Sequence, residues 1–415
     1  MRRICIVIYN RCITSFIKFS SIFILNKAKR KNIRNKLLNT YVLKVNVLAI
    51  KEREKAKIKV GILGTSNSVM KDGYTVSLQN NPDIVIRKNA SIGSSHAALI
   101  PYTFSKHDFN DCDVVVLDIL ANEQYALWLH DYDISLSLQI FDYFLTVCAV
   151  SHVLPVILLV PERIGYRSPK DPKFQQIRRR YIEVCNKRGI PYFDGDAYIK
   201  NVYTKTHFSK LFQDDVHIMP LYAQEVGSIL AKSIATIYSS HKIINEELNI
   251  YDFKYINVIG GNTESKNIVE RKTSIVECKF LKLSAGETCD VNVGEYEIVG
   301  IAFNMAQTNG ILEFKGGDLN YKMLSNAYFD PNRSLWLVIW SLLKPIKSNI
   351  DGKVRLKCLE RADILNMELH DHGKIKEEYS DEPVRIEIQG LIVRSKEMHK
   401  AIGMRVGINL DMEKY

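Results

Sequence analysis

Strand-like and helix-like runs alternate from Lys57 to about Ser240, and this order leaves few folds open to the chain. Lys57 to Leu63, Asp83 to Arg87, Asp113 to Leu120, Val153 to Val160 and Ile190 to Phe193 are short, apolar and rich in β-branched residues. Leu136 to Ser151 and Lys173 to Arg188 carry apolar residues at three- and four-residue spacing, and Leu221 to Ser239 follows as a last helix. Gly189 stands where it can stop the second of these. The nearly unbroken apolarity of Asp113 to Leu120 marks a central strand, buried on both faces. Such alternation predicts a three-layer α/β domain in which helices cover both sides of a parallel sheet. Ligands in these sheets bind beyond the carboxyl ends of the strands, so the residues just after each strand are where chemistry is to be sought.

After Tyr238-Ser239-Ser240 the texture changes. Residues 244–273 are polar around Gly260-Gly261-Asn262 and read as a linker or long loop. Beyond them come strand-like runs at Ser274 to Leu283, Tyr296 to Phe303, Gly310 to Lys315, Leu335 to Leu343, Lys353 to Leu359, Val384 to Ile388 and Ala401 to Asn409, several separated by turn signals such as Asn309-Gly310 and Asp351-Gly352. Many short strands of this kind predict an all-β, sandwich-like domain. The expected division is a basic arm over 1–56, an α/β domain over 57–243, a linker over 244–273 and a β-sandwich-like domain over 274–415.

The formal net charge of +11 is unevenly spread. Residues 1–60 hold 16 Lys/Arg against 2 Asp/Glu, so of the totals of 57 and 46 only 41 and 44 remain for the rest of the chain. The body is slightly acidic, and no nucleic-acid surface is expected on it. In the arm, Arg11 and Lys18 interrupt the apolar run and share one helical face, and a basic stretch from Lys27 to Lys36 follows. That pattern predicts either peripheral association of residues 1–36 with an anionic membrane surface or an extension without a fold, rather than a spanning helix or a cleaved export signal. The eight cysteines form no Cys-x-x-Cys pair and lie mostly in apolar runs. Buried free thiols in a reducing, cytoplasmic compartment are expected, with possible peripheral placement at the inner membrane surface; no metal site and no cofactor are expected.

The first strand runs into Gly64-Thr65-Ser66-Asn67-Ser68. A serine on a strand-to-helix turn lies at the ligand edge, where helix N-terminal amides can face a reacting atom. Serine is a weak nucleophile. It needs an adjacent base, and the base needs a carboxylate that fixes its tautomer. Asp214-Asp215-Val216-His217, near the end of the α/β region, can deliver both on one loop. Asp214 would hold His217, and His217 would take the proton of Ser66. Two other strand ends offer oxyanion donors: Gly93 in Ser91-Ile92-Gly93-Ser94-Ser95, whose amide has no side chain before it, and the side-chain amide of Asn122 in Leu120-Ala121-Asn122-Glu123. Donors of this type contribute about 3–4 kcal/mol each to a transition state.

Taken in order, Gly64-Thr65-Ser66, Gly93, Leu120-Ala121-Asn122-Glu123 and Asp214 with His217 resemble the four sequence blocks of the SGNH/GDSL hydrolases. The resemblance covers Lys57 to about Ser240. It implies a flavodoxin-like domain in which Ser66, Asp214 and His217 are catalytic, with the Ser66 amide, Gly93 and Asn122 as the oxyanion hole. Thr65 stands where the family has aspartate, Leu120 where it has glycine and Glu123 where it has aspartate. The residues after the serine, Asn67 to Tyr74, resemble members associated with bacterial surface-polysaccharide biosynthesis. That likeness implies a small acyl group, acetyl above all, on a glycan or polysaccharide partner.

The expected function is thus a serine-dependent acyl-ester enzyme that works through an acyl-serine, as an esterase (O-acetyl hydrolase) or as an O-acetyltransferase. The rival is a catalytically idle glycan-binding or assembly protein. Each residue also has a plainer role open to it. Ser66 would serve as a helix N-cap, His217 as a surface histidine, Gly93 as a turn glycine and Asp215 as a solvated neighbour of Asp214. Lys71 to Tyr74 is a substrate loop or a polar turn. Trp336 and Trp340 read as core. His370 and His372 flank Asp371 without the further ligands a metal needs.

Overall fold

A computed structural model of the protein describes residues 57–408 apart from 130–133, 164–174, 204–207, 209, 260–266, 274–276, 318, 325–327 and 361–380. The basic arm and the His370–His372 cluster lie outside the described residues. Residues 58 onward form one compact unit.

Its α/β half has a five-stranded parallel sheet of β1 (Ile58–Gly64), β2 (Ile84–Asn89), β3 (Val114–Asp118), β4 (Leu154–Leu159) and β5 (Tyr192–Asp194), in the order β2-β1-β3-β4-β5. This is the flavodoxin-like order, and its switch point falls between β1 and β3. All of β3 and β4 is buried, as their unbroken apolarity requires. The helices are α1 (Ser66–Val69), α2 (Tyr74–Gln79), α3 (Leu99–Lys106), α4 (Leu120–Leu129), α5 (Ile134–Val150), α6 (Gln176–Arg188), α7 (Gly195–Val202) and α8 (Pro220–Tyr238). α6 ends at Gly189, whose φ of +65° is the left-handed cap the sequence anticipates.

Two elements differ from expectation at functional positions. The strand expected to reach Leu120 stops at Asp118, and Leu120 opens α4, so Asn122 sits on a helix rather than on a loop. Strand and helix are both apolar here, and periodicity alone cannot divide them. The helix after Ser66 is one turn of four residues, broken before α2. A turn that short lends little macrodipole.

The stretch 244–273 is not a linker. β6 (His241–Ile250) starts directly after α8, and β7 (Phe253–Asn257) and β8 (Ile268–Lys272) follow. β6 pairs antiparallel along its whole length with β17 (His399–Ile408), its partners lying 149 (Ile250 to His399) to 167 (His241 to Ile408) residues away in the chain. Its partner is remote and half its side chains are exposed, so local sequence gives it a loop-like composition. Met404 and Val406 of β17 join the α/β core.

The remaining strands form a sandwich, as expected. β10 (Thr288–Asn292), β15 (Lys353–Leu359), β12 (Ile311–Gly316) and β13 (Leu319–Leu324) make one sheet. β14 (Leu337–Lys347), β11 (Tyr296–Asn304), β16 (Arg385–Ser395), β9 (Glu277–Ser284) and β8 make the other, with β7 also paired to β16. Leu312, Phe314 and Leu356 of the first sheet share a buried core with Ile301, Leu342 and Leu391 of the second. Each such side chain contributes about 1.5–3 kcal/mol by burial. β14 is an edge strand, and its Ile339 belongs to the α/β core. The two halves therefore share buried apolar surface.

Candidate active site

Ser66 opens α1 directly after β1. The N-cap of α1 is Thr65, whose side chain makes no capping bond, so the serine is not a cap. The turn is tight. A Cβ on Gly64 would lie 2.0 Å from Ser68 Oγ and 2.9 Å from the Asp118 carbonyl oxygen, so only glycine fits. The Thr65 N–H donates to that same carbonyl at 2.9 Å, which ties the Ser66 turn to the end of β3.

Beneath the turn lies a fully buried polar chain. Ser68 Oγ donates to Asp118 Oδ2 at 2.7 Å and sits 2.7 Å from the Tyr74 hydroxyl. The single Ser68 proton is committed to Asp118, so Tyr74 donates to Ser68. Burial pushes the Asp118 carboxyl up to about 7, although the Ser68 bond opposes the shift. Burial, and then the nearby Asp118, holds the Tyr74 phenol well above its usual range. Tyr74 is thus an internal strut, and the Lys71 to Tyr74 segment does not present it to substrate.

The Asp214–His217 loop lies between Phe212 and Ile218, which bridge one another. Asp214 Oδ2 is 2.7 Å from His217 Nδ1, and Asp214 Oδ1 accepts from the Val216 and His217 amides, each at 2.9 Å. Partial burial raises the Asp214 carboxyl, but the bonds from the His217 ring and the two amides outweigh it and hold the group below its usual range. Asp214 therefore stays ionised, and a donating Nδ1–H leaves Nε2 as the basic nitrogen. The pair opens to solvent: the Asp214 side chain is 54% exposed and that of His217 29%. Asp215 is not merely solvated. It forms an ion pair with Arg163 at 3.0 Å, and its carbonyl accepts from the Arg163 amide at 2.9 Å.

Asn67 links the two loops. Its Nδ2 donates to the Val216 carbonyl at 3.0 Å, and its Oδ1 accepts from the Ile218 amide at 3.3 Å. The residue next to Ser66 thus grips the peptide on both sides of His217. Nothing in the sequence singles Asn67 out, since an asparagine after a strand reads as a turn residue.

Gly93 faces Ser66. A Cβ on Gly93 would stand 3.7 Å from Ser66 Cα and Cβ, and the Ile92 amide donates to the Gly64 carbonyl at 3.0 Å. Asn122 reaches the same loop: its Nδ2 donates to the Ser95 carbonyl at 3.0 Å. A primary amide has a second N–H beyond the one used there. Glu123 is buried and its Oε1 accepts from the Ala97 amide, so the longer acid still ties α4 to the Gly93 loop. His96 stacks on Trp340, with centroids 5.7 Å apart and planes 4° apart, and burial pushes its imidazole down to about 4. Trp340 and Trp336 are half-buried and pack against the sandwich core. Trp340 turns to the Gly93 loop, and Trp336 lies against Tyr328 with ring centroids 5.5 Å apart.

Ser66, Gly93 and the Asp214–His217 loop are thus gathered at the carboxyl edge of the sheet, and Asn122 joins them through Ser95. No protein-family model and no curated protein matches the chain. Among solved structures it is similar to an acetyl xylan esterase, at 15% identity over 43% of this chain and 100% of that one, with a TM-score of 0.38. It is also similar to a putative lipolytic protein of the G-D-S-L family from Desulfitobacterium hafniense, at 13% identity over 42% and 99%, TM-score 0.36. A lipase/acylhydrolase from Enterococcus faecalis aligns at 15% identity over 43% and 95%, TM-score 0.35.

Proposed function

We propose that the α/β half is a serine-dependent acyl-ester enzyme. Ser66 Oγ attacks the acyl carbon as His217 Nε2 removes its proton, and Asp214 holds the imidazolium that results. The oxyanion is met by the Ser66 and Gly93 amides and by the Asn122 side chain. Collapse expels the alcohol, which takes the proton back from His217, and leaves an acyl-serine. Water or an acceptor hydroxyl, deprotonated by the same histidine, then attacks the acyl carbon; the bond to Ser66 Oγ breaks and His217 returns the proton to that oxygen. The observation that carries this reading is the pair of hydrogen bonds that Asn67 makes on either side of His217, which brings an aspartate-held histidine to the residue beside Ser66, a serine that does not cap its helix.

The substrate class rests on the sequence resemblance: a small acyl group, acetyl first, esterified to a sugar hydroxyl of a surface glycan. Incubation with acetylated capsular or lipopolysaccharide glycans, with free and transferred acetate both measured, tests it. Acetate that appears in water marks a hydrolase, and acetate that appears on an added glycan acceptor marks a transferase. If neither appears while aryl acetates are cleaved in a Ser66-dependent manner, the glycan assignment fails and the acyl-ester chemistry stands.

A further inference from the structure

The loop that carries Gly93 is held from outside the α/β half. The Trp340 Nε1–H donates to the Ser94 carbonyl at 2.9 Å. The His96 amide donates to the Ile339 carbonyl at 2.8 Å, and the Ile339 amide donates to Ser95 Oγ at 3.1 Å. The Ala98 amide donates to Ser341 Oγ at 3.2 Å. Four bonds therefore run between residues 94–98 and residues 339–341, along the open side of edge strand β14, which would otherwise leave backbone groups unpaired. A Cβ on Gly300 of β11 would lie 2.8 Å from Ala98 Cβ, so glycine there lets the loop seat against the sheet.

This seam sits where the loop is least comfortable. Ser94 has a φ of 58°, a left-handed conformation that side chains other than glycine rarely adopt. Such a residue persists when its surroundings over-determine it. Here the constraint is the indole bond to its carbonyl, with the His96 ring stacked on the same indole. Ser94 directly follows Gly93, and Gly93 lies against Ser66.

We propose that Trp340, on a β14 strand shared with the sandwich, is a positioning residue for the oxyanion loop, and that the β half is a working part of the acyl-transfer site. The catalytic side of this rests on the reading of Ser66 as nucleophile and Gly93 as oxyanion donor. The Trp340 indole never meets substrate in this account. It fixes the Ser94–Ser95 peptide, and through the left-handed Ser94 it holds the path of the loop that presents Gly93.

Trp340→Phe tests this. Phenylalanine keeps an aromatic ring beside His96 and Phe303 and removes the N–H donor together with part of the indole volume. Two readouts are made on the full chain. Hydrogen–deuterium exchange should rise in residues 92–98 and stay unchanged in α3; unchanged uptake in the loop overturns the strut. With an aryl acetate, kcat should fall about five- to tenfold with KM within twofold, as expected for one lost hydrogen bond of ordinary net worth. A wild-type kcat, or a loss confined to KM, overturns the catalytic role. Ser341→Ala on the same seam should loosen Ala98 and raise loop exchange to a smaller degree, which guards against a folding defect peculiar to the tryptophan. Combined with Asn122→Ala, the loss from Trp340→Phe should be less than multiplicative, because both act on one loop. Multiplying losses contradict the shared loop. If Ser66→Ala hydrolyses as well as wild type, the catalytic reading falls, while the exchange measurement still decides whether Trp340 holds the loop.

Discussion

Asn67 grips His217 by its two peptide neighbours, donating to the Val216 carbonyl at 3.0 Å and accepting from the Ile218 amide at 3.3 Å. Asn67 is fully buried and adjoins Ser66, so one side chain ties the Ser66 turn to the Asp214–His217 loop. Asn67→Ala would leave a buried carbonyl and a buried amide without partners. We predict a fall in kcat on the order of 10²-fold with little change in KM, as a shift of about 1 Å in a reacting group produces. Steady-state kinetics on an aryl ester check it, with thermal unfolding as the control for folding. A change in KM alone would mean that Asn67 shapes the pocket rather than the catalytic pair.

Asp214 and Asp215 separate cleanly by partner. Asp214 holds the His217 ring, whereas Asp215 holds Arg163. Asp214→Asn should therefore cost kcat at least about 10²-fold more than Asp215→Asn, by the loss of tautomer control and imidazolium stabilisation. Asp215→Asn should act mainly on stability, and modestly, because its pair is partly solvated. Equal catalytic losses would contradict the assignment of the acid.

Asp118 makes the fold itself sensitive to pH. Its carboxyl sits at about 7 in the folded chain, pushed up by burial, against an ordinary value of 3.8. Between these values the folded state holds a proton that the unfolded state has lost. The Asp118 contribution to stability therefore falls as pH rises from about 4 to about 7 and levels off above that, against an opposing contribution from His96, whose imidazole burial pushes down to about 4. Asp118→Asn should flatten this slope, since the amide oxygen still accepts from Ser68 and carries no charge. Urea unfolding at pH 5, 6, 7 and 8 measures it. A wild-type slope in the variant would assign the dependence to another group.

How much of this was readable beforehand depended on how local the signal was. Ser66 stands out because it lies in a short block at a strand end, the Asp214–His217 pair because acid and base share one short loop, and Gly93 because glycine marks a close approach. The parallel α/β sheet is legible in the alternation, which needs only neighbouring elements, whereas its flavodoxin-like order is implied by the family resemblance alone. Asn122 is expected on a loop and lies on a helix, since Leu120-Ala121 continues the apolarity of β3 into α4. Three features were hidden by separation. β6 finds its partner in β17, the Gly93 loop finds Ile339 and Trp340 about 245 residues away, and Asn67 reaches Val216 across 149. None leaves a periodic or compositional mark.

The basic arm invites a separate measurement. Residues 1–60 hold 16 Lys/Arg and 2 Asp/Glu, and basic residues near an anionic surface contribute about 1 kcal/mol each, screened by salt. We predict that the full chain floats with anionic vesicles at low salt, less so at high salt, and that a chain starting near Glu52 does not float but keeps its esterase activity. Flotation that persists at high salt and resists carbonate would contradict peripheral binding.

The central claim is that Ser66 is the nucleophile, and covalent labelling addresses it most directly. A fluorophosphonate should add one phosphonyl group, located by peptide mass on Ser66, and aryl acetate turnover should stop in proportion. Ser66→Ala should take up no label and show no turnover above background while it unfolds at the wild-type temperature. Label on another serine, or wild-type turnover by Ser66→Ala, would contradict the account.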